Sequence, residues 1–332
     1  MRLVTYCPPG QVHPCLGALL HAGDDAPVVD LLRARAWHVS GRGGTTAASE
    51  GDAAARALAT GDMAVLLAAG ADVLADLREA VEAVRRTGGD APGELFLPRS
   101  AVRFLPAVHR PGKVVCVGLN FASHIEEARA AGQPMPPKVG EPLGFGKVST
   151  ALAGHGASVV FPRHGEQLDY EVELAMVIGR RCSRVPPEAF ADCVAGLTIA
   201  IDFSLRDVLF RSGGNPFLAK NFDGFCPLGP ALVTLDELGD PDDRMLRLWV
   251  NDELRQEESM RNALFSCAQI LSYWSDRYTF EPGDVITAGT PAGVGIFSKD
   301  PARWLLKPGD VVRASIDGLG SLIHAIVADA RG

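Results

Sequence analysis

The sequence has no apolar stretch that approaches the roughly 18 residues needed to cross a bilayer as a helix. Residues 1–16 also lack the continuous apolar segment of a secretory signal, because Pro8, Pro9 and Pro14 interrupt them. These two absences argue against a membrane protein and against a secreted one. We therefore expect a cytoplasmic protein with no membrane partner.

Paired cysteines and positive charge are also scarce. The seven cysteines are scattered and never spaced as Cys-x-x-Cys, so neither a disulfide framework nor a zinc site is expected. The 32 lysines and arginines stand against 40 aspartates and glutamates, which gives a formal net charge of −8. Nucleic-acid binding needs clustered cations that neutralise phosphates, so nucleic acid is not expected as a partner.

The chain divides into three zones by composition. We predict a small N-terminal domain in residues 1–97, a proline-rich linker in residues 98–112 and a larger domain in residues 113–332. In the larger zone, short β-branched segments alternate with turns rich in Gly, Pro and Asp. This texture indicates a strand-rich α+β fold rather than a doubly wound parallel sheet.

Hydrophobic periodicity locates the individual elements. The apolar rhythm of residues 52–86 predicts two helices that are broken near Gly61 or Gly70. In the larger zone, helices are predicted after Ser123, after Asp202 and over Ser266–Trp274. The predicted strands are Lys113–Val117, Ser158–Phe161, Tyr170–Ile178, Gly196–Ile201, Leu246–Val250, Asp284–Ala288, Val311–Ile316 and Leu322–Val327.

One predicted strand is unusually acidic on one face. The segment Leu168–Gly179 reads LDYEVELAMVIG, and alternation places Asp169, Glu171 and Glu173 opposite an apolar face. The acidic face fits either a solvated surface or a site where carboxylates hold a hard divalent cation such as Mg²⁺. A third carboxylate, Asp202, ends an apolar run and is either a helix N-cap or a further metal ligand.

A histidine and a glutamate share one face of a second predicted element. Ser123 is a suitable N-cap, and His124 and Glu127 are then three residues apart on the same helix face. A carboxylate beside an imidazole fixes its tautomer and raises its basicity, as a general base requires. The alternative is an exposed pair that interacts with the helix dipole.

Further polar residues stand in distinctive surroundings. Lys147 follows a glycine before Val-Ser-Thr, and Lys220 is an isolated cation in an apolar stretch. Arg206 lies one helical turn beyond Asp202, on the same face. Thr290 belongs to a loop that reads GTPAGVG, whose small residues allow backbone N–H groups to approach an anion.

The order of these motifs resembles the fumarylacetoacetate hydrolase family over about residues 111–330. The resemblance is carried by His-x-x-Glu, Lys-x-Ser-Thr, Tyr-Glu-Val-Glu-Leu, Asp-Phe-Ser-x-Arg-Asp, Ala-Lys-x-Phe-Asp, Pro-Leu-Gly-Pro, Val-Asn-x-Glu and Gly-Thr-Pro-x-Gly-Val-Gly. It implies a mixed β-roll catalytic domain that depends on a metal, a small N-terminal α/β domain and a homodimer. It also implies bound Mg²⁺, with Mn²⁺ or Ca²⁺ as alternatives.

The resemblance also implies a role for each candidate residue. The implied metal ligands are Glu171, Glu173 and Asp202, the implied catalytic residues are His124, Glu127 and Lys220, and the implied substrate-binding residues are Lys147, Arg206 and Thr290. The implied reaction is hydrolysis of a carbon–carbon bond in a 1,3-diketone or 2,4-dioxo acid, such as an acylpyruvate, with water activated by the His–Glu dyad. The alternatives are an oxo-acid decarboxylase, hydratase or tautomerase on the same metal site, a lyase acting on sugar-derived oxo-acids, and a non-catalytic metal-dependent binding protein.

The chain departs from the family pattern near the expected substrate. Val148, Leu205 and Leu209 replace a proline, a small residue and a glutamine that are frequent in the family. Asn215-Pro216-Phe217 stands where Gln-Trp-Thr is frequent. These changes reduce the polar contacts expected for the substrate and favour a bulkier or less polar one.

Overall fold

The computed structural model describes residues 1–41 and 52–330. The strands are β1 (Arg2–Cys7), β2 (Cys15–Leu19), β3 (Val28–Asp30), β4 (Phe96–Leu97), β5 (Arg103–Phe104), β6 (Val114–Gly118), β7 (Leu143–Lys147), β8 (Leu152–Ala153), β9 (Val159–Phe161), β10 (Leu168–Asp169), β11 (Val172–Ile178), β12 (Val194–Ile201), β13 (Ser204–Leu205), β14 (Cys226–Thr234), β15 (Met245–Val250), β16 (Glu253–Ser259), β17 (Val285–Thr287), β18 (Val311–Ile316) and β19 (Gly320–Ala328). The helices are α1 (Leu31–Gly41), α2 (Ala53–Ala59), α3 (Met63–Ala68), α4 (Ala71–Thr87), α5 (Ala122–Ala130), α6 (Phe190–Cys193), α7 (Arg206–Arg211), α8 (Pro216–Lys220), α9 (Leu235–Leu238), α10 (Cys267–Ser275) and α11 (Pro301–Trp304). The predicted strand-rich α+β class is confirmed.

A large mixed sheet runs through the molecule. Its strands follow the order β4-β3-β2-β1-β14-β12-β11-β17-β6-β7, with β5 beside β1 and β8 beside β14. Strand β1 pairs with β14, where Arg2 lies opposite Val233. Strands of the first predicted zone therefore belong to the same sheet as strands of the larger zone. A separate sheet has the order β16-β15-β18-β19-β9, and β10 pairs with β13 alone.

Strand β11 lies in the interior of the large sheet, between β12 and β17. Its alternate side chains enter two different hydrophobic clusters: Leu174 and Met176 belong to one, and Ala175 and Val177 to the other. All seven of its residues are buried. A strand covered on both faces in this way gives fixed positions to the residues at its ends.

The eight strands predicted in the larger zone are all present, with small differences at their ends. The predicted pair of helices in residues 52–86 is wrong, because the segment forms the three helices α2, α3 and α4. Gly61 and Gly70 each have positive φ, at 64° and 94°, so both glycines end a helix instead of one of them. Asp52 and Asp62 cap α2 and α3 by accepting backbone N–H groups.

Within residues 1–41 and 52–330, no helix is both long enough and apolar enough to span a bilayer.

Candidate metal centre

Three carboxylates meet where β11 and β12 approach each other. Glu171 directly precedes β11, Glu173 is its second residue, and Asp202 directly follows β12. The antiparallel register brings the ends together, and the Asp202 N–H donates to the Glu171 carbonyl over 2.8 Å. One oxygen from each carboxylate lies within 4.8 Å of the others. We call Glu171, Glu173 and Asp202 the carboxylate cluster.

The carboxylate cluster is removed from water. Glu171, Glu173 and Asp202 are 5%, 2% and 2% exposed, so the alternative of a solvated acidic face is wrong. The N-cap alternative for Asp202 is also wrong, because α7 begins only at Arg206. Buried carboxylates need cations or hydrogen-bond donors to offset their lost hydration.

Three buried cations contact the cluster, and two of them, Lys220 and Arg206, also line the cavity described below. The Lys220 ammonium lies 2.7 Å from Glu171 Oε2 and 2.7 Å from Asp202 Oδ2, and Arg206 Nη2 donates to Glu171 Oε1 over 2.6 Å. Burial favours a protonated Glu171, but Lys220 and Arg206 outweigh it and lower the pKa of this carboxyl. Burial likewise opposes the charge on Lys220, but Asp202 and Glu171 raise its pKa above the ordinary value. These two carboxylates therefore favour the charged form of Lys220.

Glu173 differs from the other two carboxylates, because no cation contacts it among the described residues. Its Oε2 accepts a long hydrogen bond of 3.2 Å from the Gly289 N–H, and the Thr287 hydroxyl lies nearby. Burial and the nearby charges of Cys116, Asp202 and Glu171 raise the pKa of Glu173 well above its usual value. A carboxylate in this position is stabilised by a further cation.

The balance of buried charge around the site also favours a further cation beside Glu173. The buried carboxylates around the site are Asp169, Glu171, Glu173 and Asp202, and the buried cations are Lys147, Arg206 and Lys220. Among the described residues, the site thus contains four buried carboxylates and three buried cations. Oxygen ligands from a few carboxylates are what Mg²⁺, Mn²⁺ and Ca²⁺ prefer, so the cluster fits a hard divalent cation.

The predicted histidine and glutamate form a hydrogen bond on α5. His124 Nδ1 lies 2.8 Å from Glu127 Oε1, and Glu127 Oε2 accepts the Gly293 N–H over 2.8 Å. The predicted N-cap is wrong: the helix begins after Phe121, and the Ser123 hydroxyl donates to Glu258 instead. We call His124 and Glu127 the His–Glu pair.

A cavity of about 480 Å³ brings most of the predicted site residues together. Its lining includes His124, Glu171, Glu173, Asp202, Arg206, Lys220 and Thr290. Lys147 is not among the lining residues: its ammonium is buried behind the cluster and lies 2.5 Å from Asp202 Oδ1. It also donates to the Lys220 and Phe225 carbonyls.

The rest of the cavity wall is largely apolar. It includes Leu119, Phe145, Leu209, Phe210 and Phe297, together with Gln133 as a polar side chain outside the predicted set. Leu209 is one of the departures from the family pattern noted in the sequence. Its position in the wall agrees with the predicted loss of polar contacts in this part of the site.

Two buried polar residues without a predicted role contact other residues of the site. Asp169 accepts from Arg206 Nε over 2.8 Å and from the backbone N–H groups of Gly295 and Ile296. Gln256 donates to the Thr290 hydroxyl over 2.9 Å and accepts the N–H of Val172. Asp169 stood on the acidic strand, but nothing in the sequence distinguishes its partners from those of Glu171. Gln256 carries no local signal.

The fold and the carboxylate cluster first define a class: strand-rich α+β proteins with a buried acidic site for a divalent cation. The model of the fumarylacetoacetate hydrolase C-terminal family then matches residues 113–327. This chain belongs to the fumarylacetoacetate hydrolase family, as the order of its motifs predicted.

Two similar relatives are named as oxaloacetate tautomerases. A mitochondrial oxaloacetate tautomerase of Bos taurus is 42% identical over 232 residues, which cover 70% of this chain and 71% of that protein. A mitochondrial oxaloacetate tautomerase of Rattus norvegicus is 40% identical over the same length, 70% of this chain and 72% of that protein. Family members are thus enzymes that act on oxo-acids.

Solved structures share the whole fold. A maleylpyruvate hydrolase of Sphingobium sp. SYK-6, in complex with manganese(II) and pyruvate, is 26% identical, with a TM-score of 0.70 over 99% of both chains. The fumarylacetoacetate hydrolase of Exiguobacterium antarcticum is 29% identical, with a TM-score of 0.72 over 99% of this chain and 100% of that one. The predicted fold type is therefore confirmed.

Proposed function

We propose that this chain is a divalent-metal-dependent tautomerase that interconverts the keto and enol forms of a small 2-oxo diacid of the oxaloacetate class. The observation that carries the proposal is one cavity lined both by the buried carboxylate cluster and by His124. The 42% identical tautomerase supports this reaction. On this support we rank tautomerisation ahead of the hydrolysis expected from the sequence.

Glu171, Glu173 and Asp202 would hold the metal, which we expect to be Mg²⁺ or Mn²⁺. When bound, such an ion supplies Lewis-acid polarisation of a substrate oxygen. Arg206 lines the cavity and uses only two of its N–H groups for Asp169 and Glu171. The remaining donors suit a substrate carboxylate, because a guanidinium offers five N–H groups.

His124 is the proposed proton carrier. Its Nδ1 faces Glu127, so the carboxylate favours a proton on Nδ1 and leaves Nε2 as the basic atom. In the keto-to-enol direction, Nε2 takes a proton from the carbon beside the carbonyl group and then returns a proton to the carbonyl oxygen. The Lys220 ammonium and the Thr290 hydroxyl stabilise the negative charge that develops on that oxygen.

Hydrolysis of a carbon–carbon bond in an acylpyruvate is the second candidate. The same unpaired Nε2 can take a proton from water, which then attacks the carbonyl carbon. The maleylpyruvate hydrolase and the fumarylacetoacetate hydrolase of similar structure support this candidate. Both reactions use the same base and the same developing oxyanion, so product analysis has to separate them.

The decisive experiment compares two substrates with the purified chain and Mn²⁺. We expect faster decay of the enol form of oxaloacetate than with Mn²⁺ alone, and abolition of that difference by EDTA. A set of acylpyruvates is incubated in parallel, and the products are separated by chromatography. Two carboxylic fragments from an acylpyruvate, with no effect on the oxaloacetate enol, would establish the hydrolase and reject the tautomerase.

The organisation of the chain is also a proposal. We propose a cytoplasmic homodimer in which residues 1–97 form a small domain, residues 98–112 a linker and residues 113–332 the catalytic domain. The start of the family match at residue 113 supports the last boundary. Light scattering of the purified chain tests the dimer, and a mass of about one 35.1 kDa chain rejects it.

A further inference from the structure

A second cavity of about 740 Å³ opens beside the predicted linker. Residues 99–100 and 102–106 form one wall, residues 152–157 form another, and Ile323 of β19 and the exposed Asp24 complete the lining. This linker cavity shares no lining residue with the active-site cavity. Its chemistry is therefore independent of the reaction proposed above.

The linker cavity contains a buried arginine whose positive charge is only weakly paired with a carboxylate. The side chain of Arg99 is only 9% exposed, and its Nη2 has no hydrogen-bond partner among the described residues. The nearest carboxylate oxygen, of Asp24, is 3.6 Å away on a side chain that is 61% exposed, and the bond from Nη1 to the Gly23 carbonyl is long, at 3.4 Å. Buried guanidinium groups are normally fully bonded, because an unpaired buried charge is costly.

Two more donors line the same cavity. Burial and the charge of Arg99 lower the pKa of His155 to about 4, so its ring is neutral at neutral pH. Its Nδ1 accepts the Ile323 N–H over 3.4 Å, which leaves the ring proton on Nε2 as a donor. Arg103 donates only to the Cys7 sulfur, and no carboxylate of the described residues pairs with it.

The remaining surface of the linker cavity is mostly apolar. Phe104 packs under the Arg99 guanidinium at 5.3 Å and contacts the His155 ring edge to face at 5.7 Å. These contacts fix the orientation of both donors. A pocket with a few convergent donors and apolar walls is the usual form of a small-molecule site.

We propose that the linker cavity binds a small anionic metabolite through a carboxylate or phosphate group. Arg99 is the main ligand, and His155 and Arg103 supply further donors. The apolar carbons of the ligand lie against Phe104 and Ile323. The proposal adds a binding site to the segment between the two predicted domains and does not rest on the proposed reaction.

Calorimetric titration of the full chain with inorganic phosphate and with malonate tests this site. We compare the wild type with R99M, and use R261M as the control, because Arg261 is an exposed arginine outside both cavities. R99M should bind the better anion at least about tenfold more weakly, the usual scale for a hydrogen bond to a charged group. R99K should lie between R99M and the wild type, and R261M should match the wild type.

Because the active-site cavity also contains the cations Arg206 and Lys220, which attract anions, the difference between wild type and R99M is the informative quantity. Equal affinities in these two proteins overturn the proposal, as does the absence of saturable binding below about 10 mM in the wild type. Circular dichroism first establishes that R99M is folded. If it is not, H155L and R103M decide in the same way, and unchanged affinity in both rejects the site. Tautomerase activity is not needed for any of these measurements.

Discussion

The carboxylate cluster and the His–Glu pair line or border one cavity, but the fold holds them differently. Glu171, Glu173 and Asp202 lie at the ends of neighbouring strands inside the large sheet and are at most 5% exposed. The His–Glu pair lies on the nine-residue helix α5, and the Glu127 side chain is 18% exposed. Strand ends in a sheet fix ligand positions more closely than a short helix does.

This difference separates two tasks. A metal site needs several oxygen atoms at fixed spacing, which the register of β11 and β12 supplies. Under the proposed function, proton transfer needs an imidazole with a defined tautomer, and the contact between His124 and Glu127 would fix that tautomer. Substitutions in the two regions should therefore have different effects on metal binding and on turnover.

The largest effect is expected in the carboxylate cluster. Glu173 is the suitable position for a substitution, because no cation of the described residues pairs with it. A change at Glu171 would also remove an ion-pair partner of Lys220 and of Arg206. E173Q should weaken Mn²⁺ binding at least about 100-fold, since even residues that only support metal ligands cost 10–100-fold. Calorimetry measures the affinity, and activity should fall with it.

The control for this variant is E257Q, which changes a half-exposed glutamate that pairs with Arg247. It should bind Mn²⁺ as the wild type does. If E173Q retains Mn²⁺ affinity within about threefold of the wild type, Glu173 is not a metal ligand. The carboxylate cluster and the His–Glu pair would then not differ in metal binding as expected.

A smaller and different effect is expected in the His–Glu pair. His124→Ala should reduce kcat at least about 100-fold, the usual scale for loss of a general base. Its Mn²⁺ affinity should remain that of the wild type, because His124 is not part of the carboxylate cluster. Single-turnover assays and calorimetry on the same preparation measure both quantities.

His13→Ala is the matched control, because His13 is an exposed histidine away from the cavity. An unchanged kcat in His124→Ala rules out this histidine as the base. If His124→Ala loses both turnover and Mn²⁺ affinity, the His–Glu pair also contributes to metal binding.

The sequence predicted the local parts of both regions. The alternation of residues 172–178 and the spacing of His124 and Glu127 depend on neighbouring residues, and both have the predicted geometry. Strand β14 was not predicted, because Pro227, Gly229 and Pro230 weaken the strand signal in a segment that is central to the sheet.

Contacts between distant segments could not be predicted. Lys147 was expected at the substrate, but its ammonium lies behind Asp202 because β7 and the segment before β14 converge there. Arg206, which pairs with Asp169, and Thr290, which Gln256 contacts, each lie more than 30 residues from their partner in the chain. Neither hydrophobic periodicity nor the spacing of residues in the sequence predicts such contacts.

The smallest expected effect concerns Gln256, which connects β11 to the loop that holds Thr290. Its Nε2 donates to the Thr290 hydroxyl and its Oε1 accepts the Val172 N–H, between the two glutamates of the cluster. Because the Thr290 oxygen accepts from Gln256, its own proton remains available for a substrate oxygen. In Gln256→Glu, the Thr290 hydroxyl would donate its hydrogen bond to the new carboxylate instead of to the substrate, so kcat/KM should fall about threefold to tenfold, the scale of one hydrogen bond.

A double-mutant cycle distinguishes this role from a general loss of structure. Thr290→Val removes the hydroxyl, so adding Gln256→Glu to it should cost no further activity if Gln256 acts through Thr290. Additive losses would assign Gln256 to the support of β11 alone. Unchanged Mn²⁺ affinity in Gln256→Glu would then place its effect on substrate and not on metal, whereas weakened affinity would join Thr290 and the carboxylate cluster into one unit.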